Sequence, residues 1–240
     1  MRVKAVLFDL FDTLFLLERD EAYYTPSLRK LYESLVKNGI SISFEKFKPI
    51  YFEIRDRHYS ETRQTLDEPH FNVRVSQTLK RFGYDVDASD PIVAEATTAF
   101  ATEFMNHVRL DDDATDTLQV LHQKYKLGVI SNFAIPECGF KLLDKFGLRG
   151  FFDIVVISGE VNQRKPSPKI FNRALQALGV DASETVFVGD MLDLDVKGPK
   201  SVGMKTVLIE RRPLKDVADF KPDYIVKRLS ELLTLLKTAD

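Results

Sequence analysis

The apolar positions of this chain fall into short unbroken runs separated by longer amphipathic stretches. Runs of β-branched and large apolar residues lie at 4–8, 127–130, 152–157, 185–189, 205–209 and 223–226. Strands without polar alternation are those covered on both faces, as in a parallel sheet. Between the runs, Leu118-Leu121-Tyr125 and Ile170-Ala174-Leu175-Leu178 repeat at helical spacing. Ser167 and Pro168 start the second of these helices as cap and first helical residue, and Gly179 stops it. The alternation implies an α/β fold, a three-layer Rossmann-like core around a doubly wound parallel sheet.

From about residue 17 to 109 the alternation breaks, and only helical patterns are visible. Thr25-Pro26 opens a helix carrying Leu28, Leu31 and Leu35, which Asn38-Gly39 closes. Further helices are expected at 43–62, 70–82 and 91–108, the last with Phe100 and Phe104 four apart on one face. The expected organisation is therefore a core of residues 1–16 and 110–240 with an all-helical cap inserted at 17–109. A helical module above the strand ends would exclude water and select substrate.

The strand-like runs also place chemistry. The first ends in Asp9, and the others end at Ser131, at Ser158 with Lys165 shortly after, and at Gly189-Asp190. The carboxyl ends of the strands are where an open α/β sheet builds its site.

Composition narrows the choices. With 240 residues, 44% of them hydrophobic, the chain can bury a substantial core. A formal charge of -2, with Lys and Arg scattered, leaves no basic excess, so nucleic acid is not an expected partner. The lone Cys138 permits no internal disulfide or thiolate metal cluster, in keeping with a reducing compartment. The first apolar stretch is too short for a signal peptide or membrane span, so a cytoplasmic protein without membrane contact is expected, as a monomer or homodimer. Asp111-Asp112-Asp113 reads as a solvated loop before a helix.

Four ordered motifs then carry a resemblance: Asp9-Leu10-Phe11-Asp12-Thr13, Val129-Ile130-Ser131-Asn132, Arg164-Lys165-Pro166, and Gly189-Asp190 with Asp195 five residues on. Over nearly its whole length the chain resembles haloacid dehalogenase (HAD) superfamily hydrolases with a helical cap between the first and second motifs. The chemistry agrees with that resemblance. Asp9 is the expected nucleophile, splitting hydrolysis into formation and breakdown of an aspartyl ester. Asp190 is expected to hold magnesium beside Asp9, since Mg2+ takes hard oxygen ligands and clamps the charge of phosphoryl transfer. By resemblance, the backbone carbonyl of Phe11 is a further ligand.

Ser131 and Lys165 are expected on phosphoryl oxygens, Lys165 also offsetting the acidic charge, and Asn132 is expected to face the substrate. Thr13 is expected to bond the nucleophile or phosphate, and Asp195 to support Asp190 or a metal-bound water from behind. Ser158 and Glu160 are read as supports of the lysine loop, and Phe133 as either a leaving-group contact or core. In the cap, Arg55, Arg57, His58 and Arg63 are read as a solvated face rather than a substrate contact. Pro199 is expected to shorten or kink the helix after the fourth motif.

Phe11 is the main departure. Phosphatases of the resembled family carry an Asp two residues after the nucleophile, which protonates the leaving oxygen and activates water. The dehalogenases carry an aromatic residue there, because halide leaves without a proton. The fourth motif pulls the other way: the dehalogenases are metal-free and resemble Ser-Ser-Asn where this chain has Gly189-Asp190, and Ile40 stands where their carboxylate-binding arginine would be. The leading expectation is a magnesium-dependent phosphatase of small phosphorylated metabolites. The alternatives are a 2-haloacid dehalogenase-like hydrolase and a weakly active phosphoryl-binding protein.

Overall fold

The computed structural model describes residues 3–18, 20–213 and 220–237. Six of the apolar runs become one parallel sheet of β1 (Ala5–Phe8), β4 (Lys126–Ser131), β5 (Ile154–Ile157), β6 (Thr185–Gly189), β7 (Lys205–Ile209) and β8 (Tyr224–Val226). Its order is β5-β4-β1-β6-β7-β8, so the chain reverses direction across the sheet at β1. Val6, Phe8, Leu127, Val129, Val186 and Val188 belong to the apolar cluster on one face, and Ala5, Leu7, Ile130 and Phe187 to the cluster on the other. Burial on both faces is the physical reason these strands are unbroken apolar runs. In register, Phe8 lies beside Val129 on one side and Val188 on the other, which brings Asp9, Ser131 and Gly189 to neighbouring strand ends.

Two strands of the structure were not expected. β2 (Phe15–Leu17) and β3 (Val108–Leu110) pair antiparallel and form the two stems between which the helical segment is inserted. At three residues each, they carry no periodicity that a sequence pattern can show.

Between β2 and β3 lie α1 (Asp20–Lys37), α2 (Phe44–Thr65), α3 (Phe71–Lys80) and α4 (Pro91–Phe104), followed by a short 3-10 turn at Met105–His107. The first helix corrects the expected start at Thr25-Pro26: it begins at Asp20, and Pro26 sits inside it. The neighbouring turn is held by packing and by the Ser27 hydroxyl, which donates to the Tyr23 carbonyl at 2.7 Å. Phe100 and Phe104 are both buried on one face of α4. The helical segment is fastened to the core at the amide of Phe71, which donates to Ala134 O at 2.9 Å, and at that of Arg164, which donates to Leu66 O at 3.0 Å.

The core helices include α5 (Ala114–His122), α6 (Pro136–Lys145), α7 (Ser158–Val161) and α8 (Pro168–Leu178). Ser167 caps α8 by accepting from the Lys169 amide, and Gly179 ends it with φ 63°. After β6 the chain forms a π-helical turn at Leu192–Lys197 and then the short helix α9 (Gly198–Ser201), with Pro199 near its start. The acidic trio departs from its expected solvated role. Asp111 is buried and paired with Arg211 at 2.6 Å, while Arg228 and Ser230 bond Asp113 and hold its carboxyl far below the usual carboxylate range. Among the described residues no helix is long and apolar enough to cross a membrane.

Candidate active site

The end of β1 is the centre of the site. Asp9 is buried, and its amide donates to Val188 O at 2.9 Å, which fastens the nucleophile position to β6. The ammonium of Lys165 lies between two carboxylates, donating to Asp9 Oδ1 and Asp195 Oδ1 at 2.6 Å each. It is 1% exposed. Asp9, Asp190 and Asp195 each present a ligand oxygen, all within 4.8 Å of one another.

Two local devices make this crowding possible. A Cβ on Gly189 would stand 2.4 Å from Asp195 Cγ, so β6 ends in the only residue type that lets the Asp195 carboxylate close on the strand. Asp195 is then fixed through its second oxygen, which accepts from the Met191 amide at 3.0 Å. Lys165 is fixed by Asn132, whose amide group donates to Lys165 O at 3.0 Å and accepts from Lys165 N at 2.7 Å. Asn132 also lines the adjoining cavity, but its side chain is committed to placing the lysine.

The electrostatics follow from burial. Desolvation by burial raises the Asp9 carboxyl to about 6, with Asp195 adding to the rise and Lys165 opposing it. Burial, then Asp9 and Asp195, push Asp190 up to about 7. Burial alone would lower the Lys165 ammonium, but Asp195 and Asp9 hold it above its ordinary value. Three carboxylates and one ammonium leave two negative charges in a buried pocket. An all-oxygen donor set with that excess fits a hard divalent cation.

The two hydroxyls of the site have no protein partner: Ser131 Oγ and Thr13 Oγ1 are both buried without a hydrogen-bond partner among the described residues. Thr13 therefore does not bond the nucleophile in this state; Ser131, at the end of β4, keeps an unspent hydroxyl beside the carboxylates. A buried hydroxyl of this kind costs free energy unless a ligand oxygen meets it.

Asp12 is a loop fastener. It sits at φ 55°, accepts from the Leu17 amide at 3.4 Å and pairs with Arg212. Arg211 completes the turn by donating to Asp12 O at 3.0 Å and Thr13 O at 2.8 Å. Sequence reading missed this arginine pair. Its position just past the apolar run 205–209, at another strand end, was the available signal.

Phe11 belongs to an aromatic wall with Phe133 at 4.9 Å, Phe104 at 5.7 Å and Phe15 at 6.3 Å between ring centroids. That wall borders a cavity of about 480 Å3 between the helical segment and the strand ends, lined by Phe11, Asn132 and Met191 on the core side. On the other side stand Tyr24, Phe71 and Arg74, with Glu68 and Arg164 beside them. The Ser158 hydroxyl supports the chain after β4 rather than the lysine loop: it accepts from the Phe133 amide at 2.8 Å and donates towards Glu68 Oε2 at 3.4 Å. The basic stretch of α2 divides. Arg55 lies over the rings of Phe52 and Tyr24, and His58 is buried against Gln77, whereas Arg57 and Arg63 are exposed as a solvated face requires, Arg63 also reaching the cavity.

Residues 3–203 match the family model described as haloacid dehalogenase-like hydrolase. A glyceraldehyde 3-phosphate phosphatase of Methanopyrus kandleri is 31% identical, covering 98% of this chain and 97% of its own. Among solved structures, a 2-haloacid dehalogenase from Pseudomonas syringae superposes with a TM-score of 0.76 at 27% identity, over 99% of this chain and 100% of the other. A magnesium-bound HAD hydrolase from Bacillus subtilis superposes with a TM-score of 0.64 at 25% identity, over 98% and 99%.

Proposed function

Since the chain belongs to the haloacid dehalogenase-like hydrolases, we propose that it is a magnesium-dependent phosphatase of small phosphorylated metabolites acting through Asp9. The observation that carries this reading is the buried excess of two negative charges among Asp9, Asp190, Asp195 and Lys165. Magnesium held by Asp9, Asp190 and the Phe11 carbonyl, with Asp195 behind, would offset the charge of the transferring phosphoryl group. The phosphatase relative supports the substrate class.

In this reading the Asp9 carboxylate attacks phosphorus, and the P–O bond to the leaving group breaks with its electron pair staying on the departing oxygen. Water then attacks phosphorus of the aspartyl-phosphate, returning the carboxylate and releasing phosphate and a proton. Lys165 and the Ser131 hydroxyl bind phosphoryl oxygens, and Asn132 keeps the lysine in place. The segment 17–109, which carries helices α1–α4, forms the cap, and the cavity beneath it receives the leaving group. A cytoplasmic enzyme, monomeric or homodimeric, completes the proposal, with the buried Cys138 as an inert thiol.

Purified protein is expected to release phosphate from phenyl phosphate with magnesium, and to lose that activity with a chelator. Raised carboxyls at about 6 and about 7 bind protons that a cation must displace, so the magnesium requirement is expected to rise as pH falls from 8 to 6. Absence of phosphate release under every condition would overturn the proposal.

Phe11 favours a second reading, a 2-haloacid dehalogenase-like reaction on the same nucleophile. Chelator-insensitive halide release from 2-chloropropionate would establish it in place of the first. Under the phosphatase reading, Phe11→Asp supplies the missing acid. General acid catalysis contributes about 10²–10⁴-fold for poor leaving groups and little for phenols. The variant is therefore expected to gain on an alkyl phosphate by at least about tenfold relative to phenyl phosphate, measured as the ratio of kcat/KM values. An unchanged ratio in a folded variant would mean that no acid is needed at that position.

A further inference from the structure

Arg74 of α3 is the feature that the chemistry above leaves unused. It is 5% exposed, yet it lines the cavity and forms no ion pair with any carboxylate among the described residues. Its guanidinium carbon lies 5.0 Å from the ring centroids of both Tyr59 and Phe71. Nη1 donates to the Tyr24 hydroxyl at 3.2 Å, and Nε has no partner. Its surroundings are rings and neutral hydroxyls, which orient a cation without neutralising it.

The neighbouring charges do not supply the missing anion. Glu68 is the buried carboxylate in reach, and it is already paired with Arg164 at 3.4 Å and approached by the Ser158 hydroxyl. Two guanidinium groups share that one carboxylate, which leaves a single positive charge among the buried groups of an aromatic-walled cavity, the third arginine of its lining, Arg63, being exposed to solvent. A buried charge without its counter-ion is costly, and a ligand anion removes the cost. One residual charge matches a carboxylate better than a phosphate dianion.

Phe11 adds an independent constraint on the same ligand. With no acid beside the scissile bond, the leaving oxygen must depart as a stable anion, as a phenolate does and an alkoxide does not. Resting on the hydrolase reading above, we infer that the substrate is an aryl phosphate ester whose ring carries a carboxylate, the ring lying against Phe11, Phe71 and Phe133 and the carboxylate on Arg74. A cavity of about 480 Å3 accommodates such a leaving group. Arg74 thus determines specificity from the cap, remote from the phosphoryl group.

The test compares 4-carboxyphenyl phosphate with its methyl ester, which removes the charge at nearly constant shape, and with 1,4-phenylene bisphosphate. The wild type is expected to prefer the free acid over the ester by at least about tenfold in kcat/KM, mainly through KM. Arg74→Met is expected to bring that ratio to about one, and Arg74→Lys to keep part of it. A wild-type ratio near one, a ratio retained in Arg74→Met, or a preference for the bisphosphate would each overturn the inference. If Arg74→Met fails to fold, the wild-type and Arg74→Lys ratios decide. If no phosphate is released from any probe, calorimetric binding of 4-hydroxybenzoate separates the two readings. Binding lost in Arg74→Lys or Arg74→Met would keep the subsite and overturn only the hydrolase reading, whereas absent binding, or binding that neither variant changes, would overturn the subsite.

Discussion

Asp9→Asn is expected to abolish phosphate release, by more than about 10³-fold in kcat, while leaving the protein folded. The amide keeps the shape of the carboxylate and can still accept from Lys165, so the 2.6 Å contact need not be lost. What is lost is the negative oxygen that attacks phosphorus and faces the cation. The stability effect has the opposite sign. Burial raises the Asp9 carboxyl from 3.8 to about 6, so between those values the folded chain binds more protons than the unfolded one. Ionising Asp9 therefore destabilises the metal-free fold as pH rises through that window, and the cost is fully present above it. Asn removes the cost, and the metal-free variant is expected to melt at or above the wild-type temperature at pH 7.5. Phosphate assays with thermal melts check both halves. Residual turnover above about 1% of wild type would remove Asp9 from the nucleophile's role, because covalent catalysis has no bypass of that efficiency.

The parts of the site legible in the sequence are those that local chain physics dictates. β1, β4, β6 and β7 are continuous apolar runs because both faces are covered, and each places its next residue at the same sheet edge. Asp9, Ser131, Lys165, Asp190 and Asp195 could therefore be named together before their contacts were known. Other features depend on partners distant in the chain. The role of Asp12 shows only in Arg211 and Arg212, about two hundred residues later, which hold its loop. Asn132 reads as a substrate residue until both polar ends of its amide are found on the Lys165 backbone. The enclosure of Arg74 depends on Tyr24 of α1 and Tyr59 of α2, which join Phe71 of its own helix and leave no mark in the local pattern. Pro26 misled for a different reason: tertiary packing of Tyr23 and Tyr24 on Phe104 and Phe100 overrides the local preference for a helix start at proline.

Lys165→Met is expected to damage both stability and catalysis, and it separates the lysine's two duties. The buried ammonium holds Asp9 and Asp195 at 2.6 Å each, and an apolar side chain would leave these two buried carboxylates and the half-buried Asp190 with no fixed cation. Breaking a buried ion pair by removing one partner costs about 3–5 kcal/mol, which predicts a large fall in melting temperature at neutral pH. The Asp9 carboxyl would then rise further, because the charge that opposed its desolvation is gone. Protons substitute for the lost cation, so lowering the pH from 8 to 5 is expected to restore more stability to the variant than to the wild type. Adding Asp195→Asn removes one of the stranded charges and is expected to recover part of the loss, the interaction energy that a double-mutant cycle measures. Turnover is expected to stay depressed by at least about 10²-fold in the double variant, because neither substitution returns a cation to the phosphoryl oxygens. Melting temperatures independent of pH and unaffected by Asp195→Asn would show that Lys165 is not the counter-ion of this pocket. Recovered stability with persistent inactivity would locate its second duty on the substrate.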